Sequence, residues 1–181
     1  MQTSAWETRL ETRRRGKDRF FRTSPQSPIP PQERSTFDGL RYFPLDPSYR
    51  FELQLQEHSE KQIVTVRATH GGERELLRWG EFHFNLGGKE QRLQAYRTDP
   101  AKDRLFVPFR DETSGKETYT HGRYLDLEPG IHHTGDDVWI LDFNEAYNPW
   151  CEYSDGFICP YAPEENWLGT PIRSGEKLFS P

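Results

Sequence analysis

The side chains best suited to chemistry concentrate between Phe106 and Glu165. Within that stretch, Gly122-Arg123-Tyr124-Leu125-Asp126-Leu127 alternates, so Arg123 shares a face with Leu125 and Leu127. If that face is the core, a guanidinium is buried, and it needs a carboxylate or an anion beside it. Asp142 is the candidate partner, because Val138, Ile140 and Asp142 share one face of another strand. Such a pair either fixes strand register or makes the polar floor of a ligand pocket. Internal ion pairs of the first kind are the commoner case. Upstream, Arg110-Asp111 enters a bend at Thr113-Ser114-Gly115 between two strands. Downstream, Asn144, Tyr147 and Asn148 stand in a polar, aromatic loop. They can satisfy that loop's backbone groups or orient a small polar ligand.

Cys151 and Cys159 follow in the same loop. They could bond to each other, serve as two zinc ligands with His121, His132 or His133, or stay free as packed, loop-bracing thiols. Their spacing fits no familiar zinc knuckle, and the reading adopted is free and packed. Cys151 makes a poor nucleophile, because acidic surroundings raise a thiol's pKa. His132 and His133 read as exposed residues of a turn. His121 precedes the Arg123 strand and is the one histidine placed to act as a general base. No phosphate-cradling glycine loop, nucleophile elbow or zinc-protease helix is present.

These residues need a scaffold, and the chain's periodicity supplies it. Tyr49, Phe51, Leu53 and Leu55 alternate with polar residues through Glu57, which marks a half-buried strand. Noisier alternation recurs at 62–69, 74–79, 81–86, 91–97, 104–110, 117–127 and 137–143. Gly71-Gly72, Gly87-Gly88, Asp99-Pro100 and Glu128-Pro129-Gly130 supply turns between them. No long helical segment intervenes, so parallel crossovers have no material. The expected fold is mainly β: an antiparallel barrel, rolled sheet or sandwich of about eight strands. Residues 1–24 read as an amphipathic helix, capped by Ser4 or Thr3 with Glu7 closing a capping box. Residues 25–36 form a proline-rich connector, and 37–181 form one β-rich domain whose C-terminal loop wraps the body.

Composition narrows the function. The 181 residues carry a net charge of −5, and Phe 12, Tyr 8 and Trp 5 together equal Leu, Ile and Val in number. A ring-rich folded core follows. Residues 1–24 carry seven basic and three acidic side chains, whereas 124–172 hold ten acids and no Lys or Arg. The basic arm should therefore lie on its own acidic half or on that of a second copy. An acidic body excludes nucleic acid as a partner. No apolar run approaches the roughly eighteen residues a membrane span needs, and no export signal is seen. A cytoplasmic protein with reduced cysteines is expected.

The blocks Lys17-Asp18, Ser24-Pro25 and Phe37-Asp38-Gly39-Leu40-Arg41-Tyr42-Phe43-Pro44 add up to a recognisable pattern. So do residues 106–127, Leu141-Asp142-Phe143-Asn144-Glu145-Ala146-Tyr147-Asn148-Pro149, Cys159-Pro160, Glu165-Asn166 and Gly175-Glu176. With these, the chain resembles domain-of-unknown-function family 1684 along nearly its whole length. The resemblance implies a soluble protein of bacterial and archaeal type with no established activity. It adds weight to Arg110, Asp111, Gly122, Arg123, Asp142, Asn144, Asn148, Cys151 and Cys159. Trp150 departs from the family pattern, where a second proline is expected. The expected function is binding of a small polar or amphipathic ligand in a barrel pocket lined by Arg110, Asp111, Arg123, Asp142, Asn144, Tyr147 and Asn148. No cofactor or metal is implied. The alternatives are a cofactor-independent hydrolase using His121, and an interaction module or homo-oligomer assembled through the basic helix.

Overall fold

The structure, a computed structural model, describes residues 4–179. Helix α1 spans Ala5–Thr23. Ser4 caps it: the Ser4 hydroxyl accepts from the Glu7 amide at 3.2 Å, and the Ser4 amide donates to Glu7 at 2.7 Å. Thr3, the alternative cap, lies outside the described residues. Leu10 and Phe21 are the buried residues of α1. Phe21 packs on Phe37 and Tyr153, and charged groups add further points of docking. Arg9 and Arg13 reach Glu145, and Lys17 reaches Glu176. Thus the basic arm lies on the chain's own acidic half.

Eight strands follow: β1 Arg50–Gln54, β2 Gln56–Arg67, β3 Glu73–Leu86, β4 Lys89–Arg97, β5 Leu105–Phe109, β6 Arg123–Leu127, β7 His133–Gly135 and β8 Val138–Asp142. One turn of helix, α2 (Pro129–His132), sits between β6 and β7. The sheets are antiparallel, one ordered β2-β3-β4-β5-β6 and the other β1-β8-β7. They pack as a sandwich and do not close into a barrel. Phe82, Leu93, Val107, Phe109 and Leu125 from the larger sheet meet Leu141 and Phe143 between the layers. The Phe109 and Phe143 rings pack edge to face at 5.1 Å. Side chains fill this interior, so the expected pocket in a barrel mouth is corrected: any cleft must lie outside the sandwich.

Several strand boundaries differ from the alternation; of the stretch 117–127 only 123–127 is strand, and 117–122 are turn and loop. The run from Tyr49 to Glu57 is divided at Leu55, where the chain leaves the small sheet and enters the large one. Leu55 is buried there, and its amide donates to the Asp137 carbonyl at 2.8 Å. Gly80 faces the crossing point; a Cβ on it would sit 2.7 Å from the Gln56 carbonyl oxygen. The stretches 74–79 and 81–86 are one strand, β3, with a bulge between Arg78 and Gly80.

Arg123 does face inward with Leu125 and Leu127, and its side chain is 0% exposed. Its partner differs from expectation. β8 pairs with β1 and β7, whereas β6 pairs with β5, setting Arg123 opposite Phe109 and close to Asp111. Arg123 therefore donates to Asp111 at 3.0 Å rather than to Asp142. It also donates to the carbonyls of Ile172 (2.8 Å), Ser174 and Glu176 (3.1 Å). Asp111 in turn accepts from the Thr113 amide and hydroxyl and from the Ile172 amide. Residues 172–176 are thereby strapped across the end of the large sheet. Removing one partner of a buried pair leaves the other charge stranded, at about 3–5 kcal/mol. Asp111→Ala should lower the unfolding free energy measured by urea denaturation by an amount in that range, while Asp111→Leu combined with Arg123→Met should cost markedly less.

Candidate functional site

The strap delivers Gly175 and Glu176 onto the loop that follows β8. Asp142 shapes that loop's start by accepting from the Asn144 amide at 3.0 Å. Asn144 then locks it to the segment before β1, exchanging hydrogen bonds with the Asp46 backbone at 2.8 and 2.9 Å. Tyr147 pairs with Tyr124 through both backbone groups, at 2.9 and 3.1 Å. Gly175 has φ +78°, and a Cβ there would lie 2.6 Å from the Ala146 carbonyl oxygen, so no other residue fits without displacing the loop. Its neighbour Glu176 is buried and accepts from Lys17, from the Asn148 amide at 2.8 Å and from the Tyr153 hydroxyl at 2.8 Å.

Helix α1 lies over this loop, and between them is a cleft of about 400 Å³. Leu10, Arg13, Arg14 and Lys17 form the helix side. Asn144, Ala146, Tyr147 and Trp150 form the loop side, with Tyr42, Asp126 and Glu176 between. Arg13 and Lys17 are each matched to a carboxylate. Arg14 is not. Its guanidinium stacks 4.2 Å over the Tyr42 ring and donates to the carbonyls of Phe43 and Asn144 at 3.2 and 3.3 Å. The Arg14 Nε is buried and has no acceptor.

Burial and charge tune the groups around the cleft in opposite directions. Burial lifts Asp126 above the usual carboxylate range, although it accepts from the Tyr147 hydroxyl at 2.6 Å. Burial also works to raise Glu145, but the hydrogen bond from His132 and the charges of Arg13 and Arg9 outweigh it, and Glu145 titrates low. His132 is buried against Glu145 at 3.1 Å rather than exposed, because α2 turns it inward. Tyr42 is held up by burial and then by Glu176.

Of the residues singled out from sequence, Asn144 and Tyr147 line the cleft. Asp142 lies just beneath, accepting from the Trp6 indole at 2.7 Å. Asn148 holds the strap, donating to the Lys177 carbonyl at 2.8 Å. Arg123 and Asp111 sit deeper, under the strap. Arg110 and His121 are elsewhere: Arg110 stacks 4.8 Å from Trp167, and His121 stacks 4.1 Å from Tyr161. Burial, then the Arg110 charge, lowers the His121 pKa and keeps its ring neutral. Cys151 and Cys159 are both free and partly exposed, and neither lines the cleft. No third metal-ligating residue joins them among the described residues. Sequence reasoning missed Arg14, Lys17, Tyr42 and Glu176 as site residues, although three of them stood inside the recognised blocks.

A mainly antiparallel sandwich with a helix-roofed cleft defines the class. Residues 35–177 match the family described as protein of unknown function (DUF1684), and the chain belongs to that family. It is similar to an uncharacterised protein of Haloarcula marismortui, solved by solution NMR, with 44% identity and a TM-score of 0.73. That similarity covers 95% of this chain and 94% of the other. No curated protein matches. No helix among the described residues is long and apolar enough to cross a membrane.

One carboxyl near the strap gives this region a pH signature. Burial, with Glu176 close by, lifts Glu152 to about 7. Between the ordinary carboxylate range and that value, the folded chain keeps a proton that the unfolded chain has lost. Stability from this group therefore falls as pH rises through the window and stays lower above it. Glu152→Gln keeps the acceptor for the Phe179 amide. The variant should gain on the wild type in urea denaturation between about pH 5 and about pH 8.

Proposed function

We propose that the cleft beneath α1 binds a small amphipathic molecule carrying a carboxylate or similar anionic group. The observation that carries this reading is Arg14. It is the cleft cation without a carboxylate among the described residues, and its buried Nε lacks an acceptor. Arg50, Arg97 and Arg123 also bury an unpaired Nε, so the absence of a carboxylate partner for Arg14 in the cleft is what a ligand anion would answer. The cleft's volume falls in the range of roughly 300–1,000 Å³ typical of small-molecule sites. Leu10, Ala146 and Trp150 offer an apolar wall for the rest of the molecule.

The other two readings draw less support. His121 stacks on Tyr161 and meets Tyr119 edge to face, and its ring makes no hydrogen bond among the described residues. That setting orients no nucleophile. The ion pairs of α1 are satisfied within one chain, so exchange of the helix between copies is not needed to neutralise it.

The test is a fragment screen by NMR, using aromatic carboxylates against their neutral amides. Carboxylates should perturb the Trp150 indole and α1 resonances, and their amides should not. Arg14→Met should weaken binding about tenfold or more, the scale of one lost charge-assisted hydrogen bond. Arg110→Met, away from the cleft, should leave it unchanged. Equal binding to the Arg14 variant would exclude the proposal.

A further inference from the structure

We infer that the cleft ligand is an unbranched alkyl monocarboxylate, whose tail leaves the cleft over Trp150 and lies on a fixed apolar shelf at Phe157 and Ile158. The inference rests on the cleft reading above and names its ligand class. The apolar lining of the cleft is graded. Leu10 and Ala146 are 2% and 1% exposed, whereas Trp150 is 37% exposed, so the apolar wall opens to water at the indole. Beyond the indole the surface stays apolar. The Phe157 ring meets the Trp150 ring edge to face at 5.1 Å, and Ile158 follows it, 47% exposed. Single exposed apolar side chains are ordinary, but a run that continues out of a cleft marks a binding surface.

The shelf is clamped to the corner joining β2 to β3. The Thr69 hydroxyl donates to the Phe157 carbonyl at 2.9 Å and accepts from the Cys159 amide at 3.0 Å. The Thr69 amide donates to the Cys159 carbonyl, also at 3.0 Å. Thr69 is buried, so the backbone is gripped on both sides of Ile158. The Ile158 side chain rests against the turn at Gly72, where a Cβ would come 3.0 Å from its Cγ2. A surface held in advance costs little further ordering when a ligand lands on it.

Three features select the class. Arg14 takes one carboxylate. At about 400 Å³ the cleft is near the small end for such sites, so a long tail must leave it. The apolar surfaces are strung out from Leu10 past Trp150 to Phe157, and a flexible chain can follow them where a compact ring system stops at the indole. The loop around the shelf holds Glu152 and Asp155 and no Lys or Arg. A second carboxylate at the far end would lose water over apolar rings without a cation from that loop. The tail therefore ends in a methyl group.

Sodium butanoate, hexanoate, octanoate and decanoate, kept below micelle formation, serve as probes in NMR titrations of the isotope-labelled full chain. All should shift α1 amides, which report the carboxylate end. Beyond hexanoate the affinity should rise about two- to fourfold per methylene, the scale of a partly to fully buried CH₂. Octanoate and decanoate alone should shift the amides of Phe157 and Ile158. Phe157→Ala and Ile158→Ser should flatten the rise and leave butanoate binding unchanged. Ile63→Ser, at an exposed apolar position on β2, should change neither. Decanedioate should bind about tenfold more weakly than decanoate. No rise with chain length, an undiminished rise in both shelf variants, or equal binding of decanedioate would overturn the inference. The cleft reading survives those results so long as butanoate binding is weakened in Arg14→Met. If none of the acids moves α1, both are overturned.

Discussion

The whole arrangement depends on one buried positive charge. Arg123 lies on a core face among leucines, where an isolated guanidinium could not be tolerated. Asp111 neutralises it, and three backbone carbonyls take the other N–H groups at the tip of its guanidinium, leaving only Nε without an acceptor. Those carbonyls belong to residues 172–176, so compensating this one charge draws a distant stretch of chain across the sheet. A hydrophobic pair at the same place could be as stable. It would not call a strap to itself.

From that anchor the rest follows in order. The strap puts Gly175 against Ala146 and Glu176 beneath α1. Glu176 then gathers a lysine, a tyrosine hydroxyl and a backbone amide from three separate segments. The helix rests on this carboxylate and on Glu145 as well as on buried Leu10 and Phe21. Between those points of support the cleft stays open.

Period-two alternation made the sheet legible because one side of each strand is buried. It could not show the break at Leu55, since alternation continues straight through the change of sheet. Arg123's inward direction was readable from its neighbours. Its partner was not, because strand order, and not strand pattern, decides whether Asp111 or Asp142 lies alongside. The opposed charges of the arm and the acidic half were plain, and so was their attraction. Which lysine meets which glutamate depends on how the strap is laid, and no local pattern encodes that. His132 shows the same limit: it reads as one of two turn histidines until α2 docks it on Glu145.

The strap also has a meaning for how the chain is made. During synthesis, β5 and β6 emerge and can pair long before residues 172–176 exist to meet Arg123. Until then the guanidinium has Asp111 but lacks its carbonyl acceptors, and the sheet edge it occupies stays open to water. The nascent sandwich is thus left unlatched, and its final closure waits until residues 172–176 have been made.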